Sequence, residues 1–256
     1  MSKVSSNFRF LLLASVIALA GCGSAVTRDI SYDPLEGLNR VTHGMNKAAD
    51  AVALRPASSV YAAVTPDIVE RSVYNFSENL DHPLRVVNSV LQGRPYDAGR
   101  NFTRFLVNST FGLGGLFDPA SDMGFENVST DFGETLYVWG AGEGAYVELP
   151  FFGPSNVRDT IGRAADTMLN PTRLVNLTET ETRIRGGVRA ADLLGRRSDA
   201  APFLDPLLYE STDSYVAIRN ASKQARRAEL GDTDADIRLD PFDDPFDDPF
   251  DDPVSP

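Results

Sequence analysis

The chain contains a single cysteine, Cys22, in 256 residues, which excludes a disulfide within one chain. Histidine is nearly as scarce, since His43 and His82 are the only two, and so few ligands argue against a metal centre. Both histidines are expected at surface or capping positions rather than as catalytic bases. The chain also lacks a Gly-Lys-Ser/Thr loop and a Gly-x-Ser-x-Gly elbow. These absences predict a protein that is not an enzyme, has no catalytic or metal-binding residue and requires no cofactor.

Basic residues are outnumbered, with 24 Lys and Arg against 36 Asp and Glu. No basic stripe is available to neutralise phosphates along a nucleic acid, so nucleic acid is not a predicted partner. Much of the acidity lies near the C-terminus, where Asp-Pro-Phe-Asp begins at positions 240, 244 and 248. Regular proline prevents a helix and neighbouring aspartates repel, which predicts a disordered acidic tail over 231–256. The tail is either a solubilising end or a docking peptide with phenylalanine anchors.

Long hydrophobic runs are absent after the first 21 residues. Within that leader, Lys3 and Arg9 precede an apolar run over 10–20, which is the pattern of a signal peptide and is too short to span a bilayer comfortably. The run ends in Leu-Ala-Gly directly before Cys22, as a lipoprotein signal requires, because the thiol takes a diacylglyceryl group. A signal peptide followed by an incidental cysteine is the alternative. The lipoprotein interpretation predicts a signal peptide over 1–21, lipidation at Cys22 and a tether over 22–32.

From residue 33 to 230 the apolar residues recur at helical spacing, so the body is predicted to be mainly α. Thr65 and Pro66 are expected to start a helix with a capping hydroxyl, Pro83 to start a new segment, and a last helix to cover 206–227. None of the stripes is long enough to cross a bilayer, so a membrane-bound body would need amphipathic helices packed together. The clearest stripes are Ile68, Val69, Val73, Phe76 and Leu80; Val157, Ile161, Ala165, Met168 and Leu169; and Ile184, Val188, Ala191 and Leu194.

Two stretches, 108–121 and 131–154, combine glycine with apolar and aromatic residues. Such side chains are unusual in a solvent-exposed loop, where polar residues are the rule. Each stretch is therefore either a buried loop folded over the core or a segment that faces lipid or lines a passage for an apolar ligand. Asp118 and Asp131, which lie within these stretches, are interpreted as turn and cap residues.

Four separated strings carry a family resemblance. They are Asp-Pro-Leu-Glu-Gly-Leu-Asn-Arg at 33–40, Asn-Phe at 75–76 with the residues to Gly93, Arg-Phe-Leu-Val-Asn at 104–108 with the following glycines, and 131–162 with its Asp-Phe-Gly, Leu-Pro and Gly-Pro. In this order they resemble the VacJ/MlaA family of outer-membrane lipoproteins over about residues 30–210. Ala145 departs from the family, which usually has proline there, and the acidic repeat is not part of the family pattern.

The resemblance implies a VacJ/MlaA-like domain over 33–230, built as a ring of amphipathic helices around a central channel in the outer membrane. It implies a lipid-anchored protein that faces the periplasm and lies beside a trimeric porin. Such a protein removes phospholipid misplaced in the outer leaflet and passes it to a periplasmic lipid-binding carrier protein, which maintains outer-membrane lipid asymmetry. One alternative is a structural envelope lipoprotein that scaffolds porins without moving lipid. Another is a lipid-modifying enzyme, which would need a nucleophile beside a base.

The resemblance also implies roles for individual residues. Asn39 and Arg40 are expected to tie the first helix to the ring, and Met45 on the same helix is a candidate for the channel side. Asp33, Asn108 and Asp118 belong to the matching motifs, with a structural or channel-side role. A mobile loop beside the channel, expected to gate lipid entry, corresponds to Gly112, Leu113, Gly114, Gly115, Leu116 and Phe117.

Overall fold

The computed structural model describes residues 33–174 and 178–232. The predicted signal peptide, the lipidated Cys22, the tether and the acidic tail after residue 232 lie outside the described residues. Within the described ranges the chain is mainly helical, as predicted, and carries one antiparallel hairpin of two strands.

The helices and strands follow one another in a simple order, with two π-turns inserted between helices. They are α1 (Glu36–Ala49), a first π-turn (Asp50–Leu54), α2 (Arg55–Val64), α3 (Asp67–Leu91), α4 (Pro95–Thr110), α5 (Pro119–Asp122), α6 (Phe132–Val138), β1 (Tyr146–Leu149), β2 (Gly153–Asn156), α7 (Val157–Leu169), a 3-10 turn (Pro171–Leu174), α8 (Glu179–Asp199), α9 (Ala201–Asp205), a second π-turn (Pro206–Glu210) and α10 (Ser214–Glu229).

Short polar side chains set the helix starts. Asp131 accepts a hydrogen bond from the Glu134 backbone N–H at 2.7 Å, and Asp118 caps α5 in the same way, so the cap interpretation of both aspartates is confirmed. Asn156 caps α7, and Thr178 with a glutamate three residues later forms a capping box at the start of α8. Each of these caps satisfies backbone N–H groups that a helix start leaves unpaired.

Three helix boundaries differ from the prediction. Pro83 lies inside α3, which runs unbroken from Asp67 to Leu91 because α4 packs along it and fixes both halves. Thr65 does not cap α3, because the residue at the cap position is Pro66 and no side chain caps this helix. The Thr65 backbone N–H bonds to the Tyr61 carbonyl at the end of α2. The last predicted helix is split in two because Asp213 accepts from the Val216 N–H and starts α10 afresh.

The interior is polar and the surface is apolar, the reverse of a water-soluble domain. On α3, the predicted stripe residues Ile68 and Val69 are 61% and 47% exposed, whereas Ser77 and Asn88 are completely buried. The same inversion occurs on α1, where Leu38 and Val41 are exposed. In the described ranges, the large buried apolar side chains are few: Tyr146, Leu208, Tyr215 and Ile218. The helices therefore bury hydrogen-bonding faces against one another and turn their apolar stripes outward.

Both histidines are buried, which corrects their expected surface or capping positions. His82 is 1% exposed between α3 and α4, and His43 is 5% exposed on α1. They are buried because the polar faces of these helices form the interior. Burial, and the charges of Arg85 and Arg104, lower the pKa of His82 from 6.5 to about 4.

The depressed pKa of His82 makes the protein sensitive to acid. A neutral buried imidazole contributes its full stability above pH 6.5, the pKa expected in the unfolded chain, and that contribution is lost as the pH falls toward 4. Between pH 7.5 and 4.5 the free energy of unfolding should fall by about 2–3 kcal/mol through this group. Denaturant unfolding in detergent across this range, compared with His82→Gln, measures the effect. Equal slopes against pH in the two proteins would contradict it.

Candidate functional site

Part of the chain forms a closed ring, in which each helix, turn or strand contacts the next one. Starting at α1, the ring passes through the first π-turn, α2, α8, α9, the second π-turn, α10, β2 and β1, and β1 contacts α1 again. Residues 146–156 of the hairpin thus join the start of the described chain to its end. The predicted ring of helices is present in this form, with the hairpin completing it.

The ring encloses an apolar cavity of about 880 Å³. This volume is within the range of small-molecule and cofactor sites, roughly 300–1,000 Å³. Every element of the ring contributes to the lining, which includes Ala53, Ala57, Leu194, Leu204, Leu207 and Ile218. The cavity therefore offers an apolar compartment in a protein whose remaining interior is polar.

The hairpin tip forms one wall of the apolar cavity and is held by Asn46. The Asn46 Oδ1 accepts from the Phe151 N–H at 2.8 Å, and its Nδ2 donates to the Leu149 carbonyl at 3.0 Å. Phe151 has φ +63°, a conformation that non-glycine residues rarely adopt. These bonds hold the strained turn and place Phe151 and Phe152 against the cavity. For the 131–154 stretch, the position of these two phenylalanines supports a segment that lines a passage rather than a loop buried over the core.

A second, charged cavity of about 790 Å³ lies against the first. The two share Phe152, Pro154, Ser222 and Ala225 as wall residues. The lining of the charged cavity includes Glu143, Arg158, Asp159, Arg163, Arg226 and Arg227. An apolar compartment and a polar compartment thus meet at one shared wall.

A hydrogen-bonded chain of three side chains links α10, α1 and β1. The Glu148 carboxylate oxygens lie 3.1 and 3.2 Å from His43 Nδ1, and a proton on Nδ1 is the assignment that lets this nitrogen donate to them. Nε2 lies 3.0 Å from the Ser214 hydroxyl. A hydroxyl thus lies beside an imidazole, an arrangement that was not predicted from the sequence. His43 is 105 residues from Glu148 and 171 residues from Ser214, and no short motif connects the three, so the sequence carries no signal for this contact.

The residues of the opening motif fasten α1 to the ring. Asn39 is 1% exposed: its Nδ2 donates to Asp33 and to the Tyr146 carbonyl, and its Oδ1 accepts from the Glu148 N–H at 2.9 Å. Arg40 pairs with Asp213 at 2.8 Å. These residues connect α1 to β1 and to the start of α10, and they are not among the residues that line either cavity.

Met45 is placed differently from the expected channel side. His43, Asn46, Lys47 and Asp50 line the apolar cavity, and their spacing marks one face of a helix. Met45 lies on the opposite face and is 53% exposed, in line with Leu38 and Val41. Because residue 45 is out of phase with the lining positions, its side chain points to the outer surface.

The Gly112–Phe117 loop lies over α3 and α4, and its six residues are not among those lining the two cavities. Its base is fixed by Asp118, which accepts from Asn108 at 2.8 Å and from Arg104 at 2.7 Å. Leu113, Leu116 and Phe117 are 69%, 41% and 46% exposed. Within the 108–121 stretch, the apolar side chains of the loop therefore face outward, whereas Asn108 and Ala120 at its two ends are buried.

An apolar outer surface, a polar interior and a ring around an apolar cavity define a helical protein suited to an apolar medium. No helix in the described ranges is long and apolar enough to cross a membrane. The chain belongs to the MlaA lipoprotein family, whose sequence model matches residues 31–229.

Relatives and a solved structure agree with this assignment. The intermembrane phospholipid transport system lipoprotein MlaA of Escherichia coli K12 is 33% identical over 210 residues, which cover 79% of this chain and 80% of that protein. The protein of the same name from Haemophilus influenzae is 30% identical over 86% of this chain and 89% of its own length. A structure described as the structural basis for maintenance of bacterial outer membrane lipid asymmetry superposes with a TM-score of 0.65 at 30% identity, covering 78% of this chain and 99% of that one.

Replacing Asn46 by alanine should loosen the hairpin tip. The change removes the hydrogen bonds to the Phe151 N–H, which is exposed, and to the part-buried Leu149 carbonyl, and each bond contributes about 0.5–1.5 kcal/mol to the unfolding free energy. The adjacent outward-facing residue supplies a control, since Met45→Ala should stay within about 0.5 kcal/mol of the parent. Unfolding in detergent compares the two variants, and equal losses would show that Asn46 does not hold the tip.

Proposed function

We propose that this protein is an outer-membrane lipoprotein that takes up phospholipid misplaced in the outer leaflet and passes it to a periplasmic lipid-binding carrier. The proposal extends to this chain the transport role in the names of its Escherichia coli and Haemophilus influenzae relatives. It requires no covalent chemistry, because moving a lipid breaks no bond. Direction follows from mass action when the carrier binds the lipid more tightly and drains the exit.

The adjoining cavities carry the proposal. A phospholipid has an apolar end that is costly to leave in water and a polar end that is costly to leave in hydrocarbon. The apolar cavity can receive acyl chains, and the charged cavity across the shared wall can receive a head group. A lipid moving past Phe152 and Ser222 would keep each end in a suitable environment.

The outer surface supports the placement in a membrane. Large apolar side chains such as Phe102, Phe111 and Met168 are exposed, as expected for a surface that contacts lipid or a partner protein. After Phe203, the described residues have no exposed large apolar side chain, and α10 carries Arg226, Arg227 and Glu229. The α10 side is therefore assigned to the periplasm and the other faces to lipid or to a partner.

Three further elements of the proposal come from the family resemblance. The acyl chains on Cys22 would anchor the protein, and a trimeric porin would cover part of its apolar surface. The outward loop from Gly112 to Phe117 would gate lipid entry from the membrane side. A porin scaffold that moves no lipid remains the competing interpretation, and it makes no use of the apolar cavity.

Filling the apolar cavity tests transport. Ala53 lines the cavity, so Ala53→Phe should reduce phospholipid bound to the detergent-purified protein by about tenfold and raise surface-exposed phospholipid in cells. Val52 is 81% exposed on the outer face of the same turn. Val52→Phe therefore introduces the same phenyl ring outside the cavity and serves as the control. Lipid extraction with mass spectrometry measures binding. A folded Ala53→Phe protein that carries as much phospholipid as the parent would favour the scaffold.

A second candidate function is hydrolysis of lipid esters, which the Ser214, His43 and Glu148 chain favours. In this reaction the Ser214 oxygen would attack the ester carbonyl while His43 Nε2 takes its proton. The proton then leaves with the lyso-lipid alcohol, and water releases the fatty acid from Ser214. Glu148 would orient the imidazole through Nδ1.

Fatty-acid release separates the two functions. If the chain is catalytic, purified protein should release fatty acid from phospholipid, and Ser214→Ala should abolish release. The Ser214 hydroxyl bonds to His43 and Lys47, which line the apolar cavity, so thermal unfolding in detergent serves as the control for folding. No release from the parent protein, with normal lipid binding, would assign the three side chains a structural role.

A further inference from the structure

The edge of the apolar cavity carries a cluster of charges around one aromatic ring. Tyr209 lies in the second π-turn, with Arg55 Cζ 4.6 Å and Lys47 Nζ 5.6 Å from its ring centroid. Its hydroxyl donates to Asp50 at 2.7 Å. The rim cluster is defined as Lys47, Asp50, Arg55, Arg197 and Asp205, all in contact with Tyr209 or with one another.

Two arginines neutralise the two carboxylates of the rim cluster. Arg197 donates from Nε and Nη2 to Asp50, both at 2.7 Å, and from Nη2 to Asp205 at 2.6 Å. Arg55 pairs with Asp205 at 2.9 Å. Although burial opposes ionisation, hydrogen bonds from Arg197 and Tyr209 hold the pKa of Asp50 below its ordinary value, so this carboxylate stays charged.

Lys47 is left without a carboxylate. Within the described ranges its ammonium has one hydrogen-bond partner, the Ser214 hydroxyl at 3.1 Å, and it forms no salt bridge. The other carboxylate in the cavity wall, Glu148, is occupied by His43 and by Asn46 at 3.2 Å. The rim cluster therefore has one positive charge in excess, and Lys47 carries it.

The position of Lys47 joins this charge to the apolar compartment. Lys47 lines the apolar cavity, whereas Ser214 and Tyr209, which contact its ammonium, do not. The aliphatic stem thus lies in the cavity wall and the ammonium at its edge, an arrangement typical of long amphipathic side chains. A ligand with its apolar part inside the cavity would bring the adjoining polar group to this ammonium.

We propose that Lys47 binds the phosphodiester anion of a phospholipid whose acyl chains occupy the apolar cavity, before the head group crosses the shared wall into the charged cavity. This inference rests on the proposed function and adds the chemical group that is recognised. A lysine ammonium binds phosphate as a point charge, with free N–H donors in addition to the bond to Ser214. The phosphodiester supplies the anionic partner that the Lys47 ammonium does not have in the rim cluster, and a lipid without phosphate does not supply it.

The test compares two lipids with identical acyl chains. Detergent-purified, delipidated protein is given dioleoylphosphatidylglycerol or dioleoylglycerol, and bound lipid is counted by native mass spectrometry. The parent protein should prefer the phosphate-bearing lipid by about tenfold, and Lys47→Gln should reduce that ratio to near one, while Lys47→Arg should restore it. Arg183→Gln removes one charge at an exposed ion pair outside the apolar cavity and should leave the ratio unchanged.

The outcomes separate this inference from the proposed function. If the parent binds neither lipid, the proposed function fails. If it binds both equally, or if Lys47→Gln keeps the preference, lipid binding stands and the assignment of Lys47 is overturned. Inorganic phosphate is the third probe: displacement of phosphatidylglycerol by millimolar phosphate, in a Lys47-dependent manner, would assign the site to a free anion and overturn the lipid assignment.

Discussion

The fold depends on hydrogen bonds and ion pairs between buried polar groups, in an interior that has little apolar packing. Asp50 with Arg197, Glu78 with Arg196, and Asn39 with the β1 backbone each join elements far apart in the chain. Breaking one partner of such a pair leaves a buried charge or amide unsatisfied, at a cost of about 1–5 kcal/mol. Hydrogen bonds and ion pairs therefore select the arrangement of helices here, a role that close-packed side chains have in a soluble domain.

This polar interior frees the apolar residues for two other surfaces. One is the outer surface, where Leu38, Phe102 and Phe111 face away from the body. The other is the inner surface of the ring, where the apolar cavity lies beside the charged one. The apolar outer surface allows the protein to lie in lipid, and the apolar cavity can hold acyl chains. The charged cavity beside it can hold a polar head group. The function proposed for the chain follows from that division of surfaces.

The sequence predicted much of the local structure, because its signals are local. Capping residues such as Asp131 and Asn156 mark helix starts within three residues of the backbone groups they satisfy. The stripe on α3 correctly indicated an amphipathic helix, but periodicity does not say which face is buried. Pro83 failed as a break because packing with α4 offsets the lost backbone bond. The order of the motifs along the chain predicted the family, and with it the helical class and the ring.

The sequence did not predict which residues far apart in the chain contact one another. The rim cluster joins positions 47 to 55 with positions 197 to 205, and the Ser214 and His43 pair spans 171 residues. Met45 and Lys47 are two residues apart, yet one faces outward and the other lines the cavity, since a helix turns about 200° over two residues. Composition and motif order specify which helices form and what family they belong to. Which side chains meet depends on how the ring closes, and that closure is set by long-range hydrogen bonds such as those of Asn39 to the hairpin.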